Sequence, residues 1–142
     1  MFAACTLCSC EKPAADYRDK WEGIYQGDLH FTWGYYTSGN YGDTCYYNLS
    51  AYAIKADDSN RMYINFYKNF TILMYLNENG TFKHSNGHTS ITGRFTSDSL
   101  IFRVRTGSHA YTNTFEMAAR KVSGTIPDTI RQSIIDNGQT VW

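Results

Sequence analysis

From Trp21 to Trp33 the chain alternates. Every odd position is aromatic, aliphatic or glycine (Trp21, Gly23, Tyr25, Gly27, Leu29, Phe31, Trp33), and the even ones are polar apart from Ile24. A period of two held over thirteen residues predicts a long strand with one buried and one wet face. The next ten residues, Gly34 to Asp43, carry three glycines with Ser, Asn and Asp, and predict a loop that displays Tyr35, Tyr36 and Tyr41. A second strand is expected over Thr44–Lys55, with Tyr47, Leu49, Ala51 and Ala53 inward. A third runs over Arg61–Lys68, with Met62, Ile64 and Phe66 on one face, and an apolar fourth over Thr71–Leu76. Asp57–Asn60 and Asn77–Gly80 read as turns.

The next strands constrain one another. Asn86-Gly87 predicts a type I′ hairpin turn that pairs Ser85 with His88 and Phe82 with Ile91. Ser97-Asp98 as the following turn pairs Phe95 with Leu100, Gly93 with Phe102 and Ile91 with Val104. One face then collects Phe82, Ile91, Gly93, Phe95, Leu100, Phe102 and Val104; a one-residue slip would scatter them. An eighth strand from about His109 to Lys121 puts Tyr111, Asn113, Phe115 and Met117 inside. In the tail, Pro127 suits a first helical turn, Gly138 an exit, and Ile126, Ile130 and Ile134 recur every four residues. This short helix is expected to cover an edge or one end of the sheet. Eight strands joined in sequence order hide their edges best by closing, so the expected fold is all-β: an eight-stranded antiparallel up-and-down barrel with a short C-terminal helix.

Composition agrees and narrows the function. Twelve Tyr and eight Phe among 142 residues favour half-buried pleated surfaces. A formal net charge of zero gives no electrostatic footprint for nucleic acid or an anionic membrane. No apolar run reaches the roughly 20 residues of a spanning helix.

Three of the four cysteines fall within the first ten residues. Cys5 and Cys8 have zinc-like spacing but lack a second ligand pair, and a tetrahedral site needs four donors. Leu7-Cys8-Ser9-Cys10 instead resembles a lipobox, with Cys10 as the acylated residue. Residues 1–10 thus read as a truncated lipoprotein signal, 11–19 as a polar tether and 20–142 as the barrel domain with its helix. The address this implies is the cell envelope, as a periplasmic or outer-membrane lipoprotein that meets the membrane only through the lipid on Cys10.

Trp21-x-Gly23-x-Tyr25-x-Gly27 at the head of an eight-strand meander resembles the lipocalin-like (calycin) barrels, and among them the small lipoproteins of Bacteroidota. Ile91 to Leu100 looks like the late hairpin of that group. The resemblance covers about residues 16–122 and implies a fold and an address, but no substrate.

Candidate chemistry is sparse. His84 and His88 flank the hairpin turn but face opposite sides of the sheet, so no metal site is expected from them. No nucleophile–base set, phosphate loop or carboxylate pair is legible, and neither enzyme activity nor a cofactor is expected. The inward set Trp21, Tyr25, Phe31, Trp33, His84, Phe102, Tyr111 and Asn113 either fills the barrel or lines a pocket for a small apolar or aromatic ligand. The inward glycines Gly23, Gly27 and Gly93 either relieve crowding or leave room for that ligand. The leading expectation is a lipid-anchored ligand-binding barrel. The alternative is a filled barrel that binds a protein partner through Tyr35, Tyr36 and Tyr41.

Overall fold

The structure, a computed structural model, describes residues 14–58, 60–137 and 139–140. The lipobox and Cys10 lie outside the described residues. Eight strands follow in the expected order: β1 (Gly23–Tyr35), β2 (Tyr41–Lys55), β3 (Arg61–Phe66), β4 (Phe70–Tyr75), β5 (Thr81–Ser85), β6 (Thr89–Phe95), β7 (Ser99–Gly107) and β8 (Tyr111–Ser123). Consecutive strands pair antiparallel except β4 with β5, and β8 returns to pair along the whole length of β1. The result is a nearly closed barrel whose seam lies where β4 and β5 run side by side without a ladder.

Inside, one continuous cluster runs from Trp21 and Phe95 at one pole, through Tyr25, Leu29, Ile64, Ile72, Leu100 and Phe102, to Phe66 and Phe115 near the other. The register of β6 with β7 is the expected one: Phe95 opposite Leu100, Gly93 opposite Phe102 and Ile91 opposite Val104. The preceding hairpin departs from expectation by two residues. Phe82 pairs with Gly93, not Ile91, and Ser85 pairs with Ser90. The cause is an Asx turn: the Asn86 side-chain oxygen accepts from the backbone N–H groups of His88 and Thr89, at 3.2 and 2.8 Å. Only Gly87 of the expected turn pair takes a positive φ, so a type I′ turn does not form. A shift of two preserves facing, which leaves the buried set intact. It also lays the Phe82 ring over Gly93, where a Cβ would sit 2.2 Å from that ring.

The second departure lies in β2. Gly27 pairs with Leu49, but Leu29 pairs with Tyr46, so β2 carries one extra residue at Tyr47–Asn48 opposite Asp28. Asn48 takes a left-handed conformation, φ 55°, and its N–H is received by the Asp28 carboxylate at 3.1 Å. This β-bulge inverts the alternation on its far side. Leu49, Ala51 and Ala53 point inward as expected, whereas Tyr46, and not Tyr47, continues the inner face; Tyr47 is exposed.

The helix α1 (Asp128–Asn137) lies on the outer wall of β1–β3. Ile126 and Ile134 are buried with Ile54, and Ile24, Tyr52, Tyr63 and Ile130 pack around them. Its tie to the wall is Arg131, which grips Glu22 at 2.6 and 3.1 Å. Burial opposes ionisation of Glu22, but the Arg131 guanidinium and the Lys55 N–H outweigh it and hold the carboxyl below its ordinary range. Beyond the helix, β9 (Gln139–Thr140) pairs parallel to β4, covering part of the seam edge.

The segment before β1 plugs the barrel at the pole where β2 turns into β3. The polar tether expected over 11–19 is packed from Asp16 onward. Arg18 is 5% exposed and donates to the carbonyls of Ala56, Asp58 and Arg61 at 3.0, 2.5 and 2.7 Å. Asp16 pairs with its guanidinium at 2.6 Å, and Tyr17 donates to the Leu76 carbonyl. Trp21 stacks on Phe95 just inside. The hydrogen bond from Arg18 holds the Asp16 carboxyl at about 2, below its ordinary 3.8. A carboxyl depressed on folding stabilises the native state above the unfolded value and loses that contribution as pH falls through the folded one. Stability is therefore expected to drop between about pH 4 and pH 2. Denaturant titrations across that window should show a shallower slope for Asp16→Asn; parallel slopes would show that Asp16 does not contribute.

Candidate functional site

The pole opposite the plug is where the inward aromatic side chains gather. Here β3 and β4 are short and joined by a 3-10 turn over Tyr67–Asn69, in which Lys68 adopts φ 46°. The turn swings Tyr67 and Phe70 over the barrel mouth. Phe115 stacks on Phe31 with centroids 4.7 Å apart and meets Phe70 at 5.2 Å and Tyr67 at 6.2 Å. Tyr46 packs on Tyr67 at 4.6 Å, and their hydroxyls share a 2.8 Å hydrogen bond. Six-membered rings thus close the mouth from four strands and a turn.

The eight residues expected to line a ligand pocket are divided by this lid. Below it, Trp21, Tyr25 and Phe102 are buried in the core. Tyr25 is 1% exposed, donates its hydroxyl to the Trp21 carbonyl at 2.8 Å, and has its phenol pushed upward by burial. Phe31 belongs to the lid itself. His84 is half-buried opposite Ile91. Trp33, Asn113 and Tyr111 lie above the lid, past Phe31 and Phe115 on the inner face of β1 and β8. The eight are therefore not gathered around one space. The inward glycines fall on the crowding side of their two readings: a Cβ on Gly27 would stand 2.1 Å from the Ala118 carbonyl oxygen, and one on Gly93 would enter Phe82.

What the lid leaves outside is aromatic. Trp33 lies over Gly42, its ring where a Cβ would be, and meets Tyr35 edge-on at 5.7 Å. Tyr35 leans toward Tyr111 at 6.5 Å. Tyr35, Tyr36, Tyr41 and Tyr111 are all exposed, Tyr36 by 58% and Tyr41 by 85%. Backbone bonds fix the three turns of this rim to one another: Tyr36 N–H donates to Ala110 O, and Gly107 N–H to His88 O, each at 2.9 Å. Between these turns lies a cleft of about 350 Å³, lined by Tyr36, His88, Arg105, His109 and Tyr111 together with Ser and Thr hydroxyls. That lining contains one arginine, two histidines and no carboxylate, so it favours an anionic or acceptor-rich group. Tyr111 leans on Tyr35 on one side and lines the cleft on the other, and so joins the exposed rings to it. The rim tyrosines were legible as a loop. The histidines were not, yet alternate turns of an up-and-down meander share a pole, which places 33–41, 85–90 and 107–111 together.

A second hollow, of about 590 Å³, indents the outer wall over β5–β8 and β1, with Ile101 and Ala118 at its floor and Asp28, Arg94, Arg103 and Glu116 around it. His30 lines its margin. On the other side of His30, across the β1–β2 ladder, sit Cys45 and Asp43. The His30 Nε2 lies 2.5 Å from Asp43, and its Nδ1 lies 3.7 Å from Glu116. The pattern along β2 concealed this group, because unbroken alternation sends residues 43 and 45 inward with Leu49.

No protein-family model matches the chain, and no curated protein sequence matches it.

Proposed function

We infer that this protein is a non-enzymatic binding module that seats a polypeptide partner on the rim of its barrel. The observation that supports the reading is the division made at the mouth: rings from Phe31, Tyr46, Tyr67, Phe70 and Phe115 pack over the interior, while Trp33, Tyr35, Tyr36 and Tyr111 stay accessible above them. Tyrosine and tryptophan supply large contact area with few rotors, and they dominate binding energy where they cluster. The cleft beside them, cationic in its lining, suits a carboxylate of the partner, from an acidic side chain or a chain end. The lipocalin-like lineage, the acyl anchor on Cys10 and an envelope location complete the reading; the partner is then another envelope protein.

The test is affinity capture from envelope extract of the host, with the full chain and with Tyr35, Tyr36, Tyr41 and Tyr111 all changed to Ser. These side chains are exposed, so thermal unfolding should be unaltered. Loss of about 1.4 kcal/mol or more of binding predicts at least tenfold lower recovery of bound polypeptide. Equal recovery overturns the reading. Saturable uptake of a fluorescent fatty acid by the unmodified chain would also overturn it, moving the function to the barrel interior.

A further inference from the structure

On the outer wall, His30, Asp43 and Cys45 each present one ligand atom within 4.8 Å of the other two. We propose that these three residues bind a zinc-class divalent cation through the His30 Nε2, an Asp43 carboxylate oxygen and the Cys45 thiolate. The site is independent of the rim and of the reading given to it.

The backbone arrangement is a rigid one. His30 and Cys45 are directly opposite in the β1–β2 register, and Asp43 follows two residues along on the same face. Zinc bond lengths of about 2.0–2.3 Å in tetrahedral geometry set donor atoms roughly 3–4 Å apart. Rotation of these exposed or half-buried side chains adjusts the present spacings, from 2.5 Å between His30 and Asp43 up to at most 4.8 Å, toward that range. The 2.5 Å hydrogen bond between His30 Nε2 and Asp43 already holds these two groups side by side, and a cation would take the place of the shared proton.

Donor chemistry selects the ion. Imidazole with thiolate suits zinc and its neighbours, whereas magnesium and calcium take oxygen ligands. The second ring nitrogen strengthens the case. His30 Nδ1 faces Glu116 at 3.7 Å, and Glu116 is itself held by Arg103 at 3.1 Å. With an ion on Nε2 the ring proton moves to Nδ1, on the side where Glu116 stands to receive it. Three protein ligands leave the fourth position to water or to a donor brought from outside, the arrangement of an open site. The β-bulge makes the site possible: the extra residue at Tyr47–Asn48 turns Asp43 and Cys45 onto the face of His30.

The experiment uses the full chain with Cys5, Cys8 and Cys10 changed to Ser, so that Cys45 is its sole thiol. Zinc alone is titrated calorimetrically, and cobalt(II) is used as a spectroscopic substitute. The proposal predicts one ion per chain and a sulfur-to-cobalt charge-transfer band. Cys45→Ser should abolish the band, and both Cys45→Ser and His30→Gln should weaken zinc binding at least tenfold. Glu116→Gln should weaken it by about tenfold. His88→Gln and His109→Gln, on the rim, should leave zinc affinity and the cobalt band as they are. Absence of stoichiometric binding overturns the proposal. So does binding that survives Cys45→Ser and His30→Gln, or that follows the rim histidines.

Discussion

Replacing Arg18 with Met should lower the unfolding free energy by about 3 kcal/mol, the lower part of the range for breaking a buried ion pair. The reasoning rests on what the guanidinium leaves behind. Three carbonyls of the β2–β3 turn, those of Ala56, Asp58 and Arg61, lose their shared donor. Asp16 loses the partner that keeps it ionised, though its side chain is 30% exposed and regains part of its hydration. Met fills the volume of the arginine stem, so the loss isolates the polar contacts from packing. With a urea slope of about 1–3 kcal/mol/M, the denaturation midpoint should fall by about 1–3 M. The double variant with Asp16→Asn should cost less than the sum of the two single changes, because each removes part of the same network. A midpoint change equivalent to less than about 1 kcal/mol would show that the plug contributes little beyond burial.

Gly27→Ala should be at least as damaging, although it adds a single methyl group. The new Cβ would stand 2.1 Å from the Ala118 carbonyl oxygen and 2.6 Å from the Ala119 Cα. Both atoms are backbone, so no rotamer can yield. Relief requires β1 and β8 to separate at the ladder that closes the barrel. Overpacking commonly costs about 1–3 kcal/mol, and a clash with backbone at a closing ladder belongs at or above the top of that range. Gly93→Ala is the internal comparison. Its nearest obstacle is the far end of the Phe82 ring at 2.2 Å, which can turn, although the Ile101 carbonyl oxygen at 2.8 Å limits the escape. The expected order in denaturant midpoint is therefore wild type, then Gly93→Ala, then Gly27→Ala. The reverse order would mean that the β1–β8 ladder is more compliant than its spacing implies.

These two sites also mark what was legible in the sequence. Facing is a matter of parity, and parity survived along β1 and from β5 to β8, even where the Asn86 turn moved the register by two residues. It failed in β2, where one inserted residue exchanged Tyr46 for Tyr47 and hid the approach of Cys45 to His30. A bulge that rests on a non-glycine residue, Asn48, leaves almost no mark in a hydrophobic pattern. The candidate pocket residues are dispersed for a different reason. Alternation tells which residues point inward, but whether they meet across the barrel depends on its width and on what caps it. Tyr67 and Phe70 close the mouth because the chain between them turns in a single 3-10 turn, with Lys68 in a left-handed conformation that its sequence gave no cause to expect. The rim tyrosines could be named early because glycine, serine and asparagine mark a loop whatever the sheet does beneath it.

The plug has a directional consequence. The chain enters the fold at the Arg18 pole, and the tyrosine rim crowns the opposite one, with the thirteen residues of β1 between them. At about 3.3 Å per residue, that strand alone spans about 40 Å. Anything that tethers the protein upstream of Ala14 therefore holds it by its sealed base, and the aromatic crown points outward from the point of attachment. A surface fixed at such a base would present every copy with its rings uppermost, like posts set in the ground with their capitals free.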